Sequence, residues 1–337
     1  MKTRIINKLS ICILTMMVLL PYIAQADHSR TQTIQINKGW NAVYLEVDPE
    51  VHDPDKAFEN LPIDLVATFY GQISSIQYIE DPGEGNWKTD GWHKWMKPDA
   101  PDAFLKNLYR IHAGQAYLIH ATESATWQIK GDAYFSRPTW RPNSFNLIGF
   151  CIDPNDQPTF AQYFAYSKAH ENLLVYELKN NCWNKVNDLN DHFIEESTAY
   201  WVYCKGESDF MGPLDVTLPL GGDQLDFQVT GSTLRIFMKN EYDLPIVYDL
   251  KSIPGLDSSK MVSLSQELRY ATKTVVLDDI NSDPNTTLES EQMKTIYLTV
   301  RRDRMDIGTY ENLLELSGGG SRFFIPISAI VKNKVME

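Results

Sequence analysis

A short segment rich in tryptophan holds the residues best suited to contact a ligand. Residues 85–95 read Gly-Asn-Trp-Lys-Thr-Asp-Gly-Trp-His-Lys-Trp. An exposed indole ring offers a flat apolar face with a polar edge, which suits stacking against sugar rings or a partner's side chains. Trp95 matches Trp183 in a second, similar stretch of the chain that is described below, and both rings are expected in a core. We therefore predict Trp87 and Trp92 as ligand contacts; the alternative is that they pack this long loop onto its domain.

A group of acids makes a second kind of site conceivable. Asp48, Asp53 and Asp55 lie close together in sequence, and Ca²⁺ in proteins is bound by several oxygen ligands of this kind. Their spacing does not match the loop of an EF-hand. The competing interpretation is that they are solvated turn acids, with Asp53 capping a helix that starts at Pro54. We predict no metal site and no cofactor, with calcium at these three acids as the open alternative.

The motifs of common enzyme classes are missing from the sequence. It contains no Gly-x-Ser-x-Gly elbow, no His-Glu-x-x-His zinc helix and no phosphate-binding glycine loop. The seven histidines are scattered, and His112 and His120 have no third ligand at a suitable spacing. Carboxylate pairs such as glycosidases use occur in any acidic chain. We expect no catalytic residues; the alternative is a secreted hydrolase whose carboxylates the sequence does not identify.

The charge balance excludes two classes of partner. The chain has 337 residues, with 31 Lys and Arg against 44 Asp and Glu, and a net charge of −13. Nucleic acids and anionic membrane surfaces both attract basic proteins, so we expect neither as a partner. Hydrophobic residues make up 43% of the chain, which is enough to build packed cores and excludes general disorder.

The first 26 residues have the pattern of a secretory signal peptide. Lys2, Arg4 and Lys8 precede an apolar run over residues 9–23, and small residues at 24–26 suit a cleavage site. The alternative is a membrane anchor, but a spanning helix needs about 20 apolar residues. We expect an exported chain without a membrane span, located in the periplasm, at the cell surface or outside the cell. Loss of the three basic residues changes the net charge from −13 to −16.

Two stretches of the chain resemble each other, which indicates an internal repeat. Residues 40–49 read aromatic, Asn, apolar strand, Asp-Pro, and residues 145–154 read the same way. Residues 116–121 likewise match residues 199–204, in the same order along the chain. The segments between these anchors are short, rich in Tyr, Trp, Ile and Val, and bounded by turn residues, as in β-rich domains. The predicted copies span residues 32–136 and 137–220.

The two copies resemble a repeat of secreted and cell-surface bacterial and archaeal proteins. That repeat opens with Gly-Trp-Asn and an apolar strand, and closes with Gly-x-Ala/Gly-Tyr-Trp and an apolar strand. The first copy has these motifs at residues 39–41 and 114–119, whereas the second has Phe145 in place of Trp and Ser197 in place of the late Gly. The motifs are structural, so the resemblance implies an exported surface module and no particular activity.

The repeat also suggests how the cysteines of the exported chain pair. Cys151 and Cys204 occupy the positions of Glu46 and Ala121 in the first copy, so both are absent from it together. Because export permits disulfides, we predict a Cys151–Cys204 bridge with Cys182 free. A Cys182–Cys204 bridge is the rival, and three buried thiols are the remaining alternative.

Residues 223–332 have the pattern of an Ig-like β-sandwich. Apolar residues alternate at Ile296, Leu298 and Val300, as in a half-buried strand. A glycine-rich turn at residues 318–321 separates two further strand patterns. The last strands of this segment resemble the Ig-like BACON and related sandwich domains of bacterial secreted proteins. That resemblance implies a spacer or binding accessory, and a fold alone assigns no role.

The sequence thus predicts a mainly β protein: two tandem β-rich copies with one short helix each, then an Ig-like sandwich. Our leading hypothesis is an exported, non-catalytic cell-surface or periplasmic protein with a structural, adhesion or protein-interaction role. The alternatives are a carbohydrate-binding accessory protein that uses the loop of Trp87 and Trp92, and the hydrolase described above. The expected partner is an envelope or extracellular protein, or a glycan.

Overall fold

The computed structural model describes residues 28–70, 91–256 and 260–332, and these residues form a mainly β protein. They build five β-sheets, in which all strand pairs but one are antiparallel, and two α-helices of four and five residues. The predicted mainly β fold class is therefore confirmed.

The first copy stacks two sheets on one core. Its elements are β1 Ser29–Ile36, β2 Gly39–Tyr44, β3 Val47–Pro49, α1 Pro54–Ala57, β4 Ile63–Phe69, β5 Trp92–Met96, β6 Ala116–Ala121 and β7 Ala125–Ala133. The four-stranded sheet has the order β2-β6-β4-β5 and the three-stranded sheet the order β1-β7-β3. Phe58 packs between Trp95 and Trp127 at ring distances of 5.2 and 5.1 Å, which joins the two sheets through one aromatic cluster.

The second copy repeats the four-stranded sheet. Its elements are β8 Ser144–Gly149, α2 Phe160–Phe164, β9 Val175–Lys179, β10 Cys182–Lys185 and β11 Ala199–Cys204. The sheet order is β8-β11-β9-β10, which matches β2-β6-β4-β5 strand by strand. The helices also correspond, since Asp53 caps α1 and Thr159 caps α2 with a side-chain oxygen.

The strand registers show which residues of the two copies correspond. Trp92 in β5 and Trp183 in β10 occupy the same position in their sheets. Trp95, three residues further along β5, therefore corresponds to Val186. The sequence alignment of Trp95 with Trp183 is therefore wrong by three residues. Trp92 has a counterpart in the second copy and belongs to the regular sheet.

The asparagine of each opening strand fixes the loop before it. Asn41 accepts a hydrogen bond from the backbone N–H of Asn37 (2.8 Å) and donates one to its carbonyl (2.7 Å). Asn146 makes the same two contacts with Arg141, at 2.8 and 3.2 Å. One amide side chain thus satisfies both main-chain groups of a loop residue, which explains why each opening strand carries asparagine here.

The tyrosine of each closing strand fixes a second loop. The hydroxyl of Tyr117 accepts the backbone N–H of His112 at 3.0 Å, and that of Tyr200 accepts the backbone N–H of Glu195 at 3.1 Å. Burial raises the pKa of both phenols, so each stays neutral. The asparagine of the opening strand and the tyrosine of the closing strand therefore each hold the main chain of a nearby loop, in both copies.

The two four-stranded sheets face each other across an aromatic seam. Trp201 of β11 lies at the centre of this seam, 6.3 Å from the ring of Trp92 and 6.2 Å from that of Trp183. Phe69 of β4 packs on Trp92 at 5.3 Å. Because these large rings come from both sheets, the seam joins the two copies into one packed unit.

The predicted C-terminal sandwich is confirmed, with an earlier start. Its elements are β12 Leu214–Thr217, β13 Leu225–Asp226, β14 Thr233–Asn240, β15 Ile246–Ile253, β16 Leu264–Arg269, β17 Thr274–Leu277, β18 Thr287–Leu288, β19 Met293–Val300, β20 Gly308–Gly318 and β21 Ser321–Val331. The sheets β12-β14-β19-β16-β17 and β13-β21-β20-β15-β18 enclose a single core. Because β12 pairs with β14, the predicted boundary at residue 220 moves to before Leu214.

The three units meet at a cluster of charged residues, the three-unit junction. Glu46 follows β2 and is 4% exposed, with one carboxylate oxygen 3.4 Å from Arg30. Its other oxygen has no hydrogen-bond partner among the described residues. Arg322 of β21 pairs with Glu196 of the second copy at 2.6 Å, and its backbone N–H donates to the carbonyl of Cys151. Because burying a charged carboxylate costs free energy, the stability of this junction should depend on whether Glu46 is protonated.

Candidate functional site

A cleft of about 360 Å³ opens beside the seam between the two four-stranded sheets. This volume falls in the range of small-ligand sites. Rings, neutral polar groups and two arginines line the inter-sheet cleft, and its described lining holds no carboxylate. The lining includes Phe69, Tyr70, Tyr134, Arg141, Phe145 and Leu147.

Arg141 brings a positive charge into the inter-sheet cleft. Asn146 holds its main chain, and its guanidinium lies 5.4 Å from the centre of the Phe69 ring. The guanidinium makes no hydrogen bond or ion pair with any residue that the structure describes. Burial lowers the pKa of Arg141, because the charged form has lost part of its water. An anionic group beside Arg141 would replace that lost solvation.

The other arginine of the inter-sheet cleft is already neutralised. Arg137 pairs with Asp209 at 3.1 Å and with Asp215, and it donates to the hydroxyl of Thr217 at 2.9 Å. Burial raises the pKa of Asp215, and the neighbouring Arg137 acts in the opposite direction. Arg137 therefore holds the loop between β7 and β8 against β12, whereas the charge of Arg141 has no ionic partner in the part of the chain that the structure describes.

The inter-sheet cleft also exposes the edge of a strand. β8 is the outer strand of its sheet. Tyr203 of β11 lies opposite Phe145 of β8, and its N–H donates to the carbonyl of Leu174, on the side of β11 that faces away from β8. By the alternation of an antiparallel ladder, the main-chain groups of Phe145 and Leu147 point away from β11. Their N–H groups have no partner among the described residues.

The corresponding edge of β2 is closed by the second copy. The N–H of Trp40 donates to the side-chain oxygen of Asn181 at 2.6 Å, and the N–H of Tyr44 donates to the carbonyl of Ser197 at 2.9 Å. Gly39 has a φ of +95°, and a Cβ there would lie 2.3 Å from the oxygen of Asn181. The opening glycine of the motif thus permits this closure.

Aromatic rings form the walls of the inter-sheet cleft. Tyr70 stacks on His112 at 5.9 Å and shares a 3.0 Å hydrogen bond with its ring nitrogen, and burial raises the pKa of Tyr70. Tyr134 is 38% exposed and lies over Gly114, where a Cβ would be 2.6 Å from the ring. Gly114 has a φ of +70°, so this glycine serves both the backbone turn and the position of Tyr134.

The predicted tryptophan site does not form a pair of exposed rings. Trp92 is 8% exposed, because its ring packs between Phe69 and Trp201 in the seam. Trp87 lies outside the described residues. The prediction of Trp92 as a ligand contact is therefore corrected, because its register places it on the inner face of β5, where burial of the large ring stabilises the seam.

The predicted calcium ligands do not converge. Asp53 accepts the backbone N–H of Asp55 as the cap of α1. Asp55 accepts hydrogen bonds from Lys106 and Trp95 at 2.6 and 2.7 Å, which lower its pKa, and Asp48 accepts the backbone N–H of Ala113. Each carboxylate thus has a separate structural partner. Nowhere in the described ranges do three or more His, Cys, Asp or Glu come together as a metal site.

The predicted disulfide is not formed. Cys151, Cys182 and Cys204 are all free. Cys204 lies opposite Ser144 at the start of β8, whereas Cys151 follows the end of that strand, and the six residues of β8 span about 17 Å at ~3.3 Å per residue. Bridged cysteines have Cα atoms within about 7 Å. The rival partner Cys182 is exposed and is the first residue of β10, opposite Lys179 of β9. Because β9 lies between β10 and β11, the sheet order separates Cys182 from Cys204 too.

Sequence reasoning did not identify the inter-sheet cleft. Arg141 is one of two basic residues in the segment between β7 and β8, the other being Arg137, and it has no motif or spacing of its own. Tyr70 and Tyr134 lie 64 positions apart and meet only because β4 and β7 end on the same side of the first copy. One signal was present: Asn146, which holds Arg141, belongs to the repeat motif.

Comparisons with known proteins do not assign the chain. No protein-family model matches it, and no curated protein does. It is similar to PapD-like domain 7 of human CEP192, with 10% identity over 35% of this chain and 84% of that chain at a TM-score of 0.22. The CooA pilin subunit of enterotoxigenic Escherichia coli has 11% identity over 36% of this chain and 99% of that chain, also at 0.22. TM-scores this low carry no functional argument.

A third solved structure covers more of the chain without being closer to it. The Vibrio cholerae VesB protease matches 89% of this chain and 99% of its own, at 10% identity and a TM-score of 0.23. This likeness carries no argument for protease activity. Separately, none of the helices in the described ranges has the length and apolar character needed to cross a membrane.

Proposed function

We propose that the protein is an exported, non-catalytic binding protein with an adhesion or protein-interaction role in the periplasm or at the cell surface. The signal-peptide pattern of residues 1–26 supports export. The resemblance of the two copies to repeats of secreted surface proteins supports the same location. The inter-sheet cleft is the binding site in this proposal.

The composition of the inter-sheet cleft carries the proposal. It combines aromatic walls with one arginine, Arg141, whose charge has no partner among the described residues. Such a lining supplies contact area and one point of polar specificity, which is the usual design of a recognition site. Its described side chains include no carboxylate, histidine or cysteine that could act as an acid, base or nucleophile.

Carbohydrate binding is the second candidate, in a form that differs from the sequence prediction. The exposed ring of Tyr134 at the mouth of the inter-sheet cleft favours it, because flat rings stack on sugars. Trp92 is buried in the seam and would have no part in such binding.

Paired ligand screens test the proposed function. The protein without its predicted leader is screened against an oligosaccharide array and a displayed peptide library, and each ligand found is titrated against Tyr134→Ala and Arg141→Gln. We expect affinity to fall roughly tenfold or more in these variants and to stay unchanged in Tyr109→Ala, which removes an exposed ring outside the cleft. Ligands that bind all three variants equally would show that the cleft is not the binding site.

A further inference from the structure

The free edge of β8 offers the kind of contact that recognises a polypeptide. The N–H groups of Phe145 and Leu147 lie on the outer edge of β8, which lines the inter-sheet cleft, and they lack partners among the described residues. Unpaired main-chain groups at a sheet edge are a template for an added strand. Proteins that recognise extended peptides use such edges for affinity and neighbouring pockets for specificity.

The first copy shows how this edge is satisfied when it is covered. The backbone N–H groups of Trp40 and Tyr44 in β2 donate to oxygens of Asn181 and Ser197. Trp40 corresponds to Phe145 in the second copy. The same strand edge is therefore covered by polypeptide oxygens in one copy and lies in a cleft in the other.

The charge of Arg141 indicates which chemical group a ligand of the inter-sheet cleft should carry. Arg141 lies beside the edge of β8, because Asn146 of that strand holds its main chain. Its guanidinium has no anionic partner among the described residues, and Arg137 is already paired with Asp209 and Asp215. A carboxylate is the group that a planar guanidinium binds best, through two parallel hydrogen bonds.

We propose that the inter-sheet cleft binds an extended, acidic peptide segment of a partner protein, which adds to the free edge of β8 and places a carboxylate on Arg141. The inference rests on the proposed binding function of the cleft and names the class of its partner. The rings of Tyr70 and Tyr134 then contact the side chains that alternate toward the walls of the cleft.

An acidic saccharide is the main competitor, and the two ligands differ in one contact. Either ligand can place a carboxylate on Arg141 and lie against the aromatic walls. A peptide strand that adds to β8 also accepts hydrogen bonds from the N–H groups of Phe145 and Leu147 at the regular spacing of a ladder. A saccharide stacked on the walls leaves at least one of these N–H groups exchanging as in the free protein.

The test begins with a displayed library of seven-residue peptides. The protein without its predicted leader, labelled with ¹⁵N at Phe, Leu and Asn, is panned against the library, and an enriched peptide is then titrated by NMR with hydrogen exchange. We expect enriched peptides to contain Asp or Glu, and replacing that acid by its amide to weaken binding roughly tenfold or more. Exchange at Phe145 and Leu147 should slow at least tenfold on binding. The N–H of Asn146, which faces β11, is the internal control.

Two variants complete the test. Arg141→Gln should weaken the acidic peptide and leave its amide analogue unaffected, whereas Arg235→Gln, an exposed arginine of the sandwich, should change neither. Arg141 has no ion pair with any described residue, so this variant should melt within a few degrees of the wild type.

Several results would overturn the inference. These are enriched peptides without acids, unchanged exchange at Phe145 and Leu147, or no peptide binder at all while acidic oligosaccharides bind in a manner that depends on Arg141. The last result overturns the peptide inference alone and leaves the proposed binding function standing. Failure of peptides and oligosaccharides alike would remove both.

Discussion

Replacing Glu46 with Gln should make the stability of the protein less dependent on pH. Gln has nearly the shape of a protonated Glu, so the three-unit junction keeps its packing. Burial raises the pKa of Glu46 to about 7, and the nearby Glu196 acts in the same direction. The guanidinium groups of Arg30 and Arg322 act against this shift without cancelling it.

The sign and size of the effect follow from linkage. The pKa of Glu46 rises from 4.5 to about 7 on folding, so the folded protein holds this proton more tightly than the unfolded chain. The stabilisation is complete below pH 4.5 and is lost as the pH rises through 7. At 1.36 kcal/mol per pKa unit, the shift amounts to about 3 kcal/mol, which the wild type loses over this range and Glu46→Gln does not.

Urea unfolding at several pH values measures this difference directly. The free energy of unfolding of wild type minus that of Glu46→Gln should fall by about 3 kcal/mol between pH 4.5 and 8. Glu207→Gln, at an exposed glutamate, is the matched control and should show no such trend. A difference that stays constant with pH, or that moves in favour of the wild type as the pH rises, would refute the reasoning. So would a midpoint below pH 5 for Glu46 in a ¹³C NMR titration of the folded protein.

Three further predictions follow from the described packing. Trp92→Ala should lower the free energy of unfolding by roughly 3–5 kcal/mol in urea titrations. The exposed control Tyr109→Ala should lower it by about 0.5 kcal/mol or less. Equal effects of the two variants would contradict the burial of Trp92 in the seam. Denatured, unreduced protein without its predicted leader should show three reactive thiols, and a single one would restore a disulfide. The native protein should be alkylated first at exposed Cys182, since burial raises the pKa of Cys204 to about 11. Burial lowers the pKa of His170 to about 4, so its ring should stay neutral at pH 5.5 by NMR. The contribution of His170 alone to stability should fall as the pH drops from about 6.5 towards 4, opposite in sign to that of Glu46. A charged ring at pH 5.5 would contradict its burial.

The repeat could be predicted from sequence where its residues act locally. The Asn of each opening strand and the Tyr of each closing strand bind loop residues four or five positions away. A local role of this kind fixes both residue type and spacing, so the pattern is visible without a structure. The mainly β fold class follows from the same short, aromatic-rich strands.

Features that depend on register were not predictable in the same way. β9 and β10 are joined by two residues, whereas β4 and β5 are separated by residues 70–91. Sequence similarity therefore matched Trp183 with the wrong tryptophan. The proposed disulfide failed for a related reason: the joint absence of Cys151 and Cys204 from the first copy says nothing about distance, and the antiparallel register puts them at opposite ends of β8.

The proposed binding site depends on a loop position that the two copies hold in the same way and fill with different residues. Asn41 holds Asn37 in the first copy, and Asn146 holds Arg141 in the second. In both copies the asparagine binds only the main chain of the loop residue, so the side chain at that position can differ between the copies. In the first copy this residue is the uncharged Asn37, beside an edge that Asn181 and Ser197 cover. In the second copy it is Arg141, which has no ionic partner among the described residues and lies beside the open edge of β8. The motif fixes the main chain at this position and leaves its residue type open, which is why the motif alone could not reveal the proposed binding site.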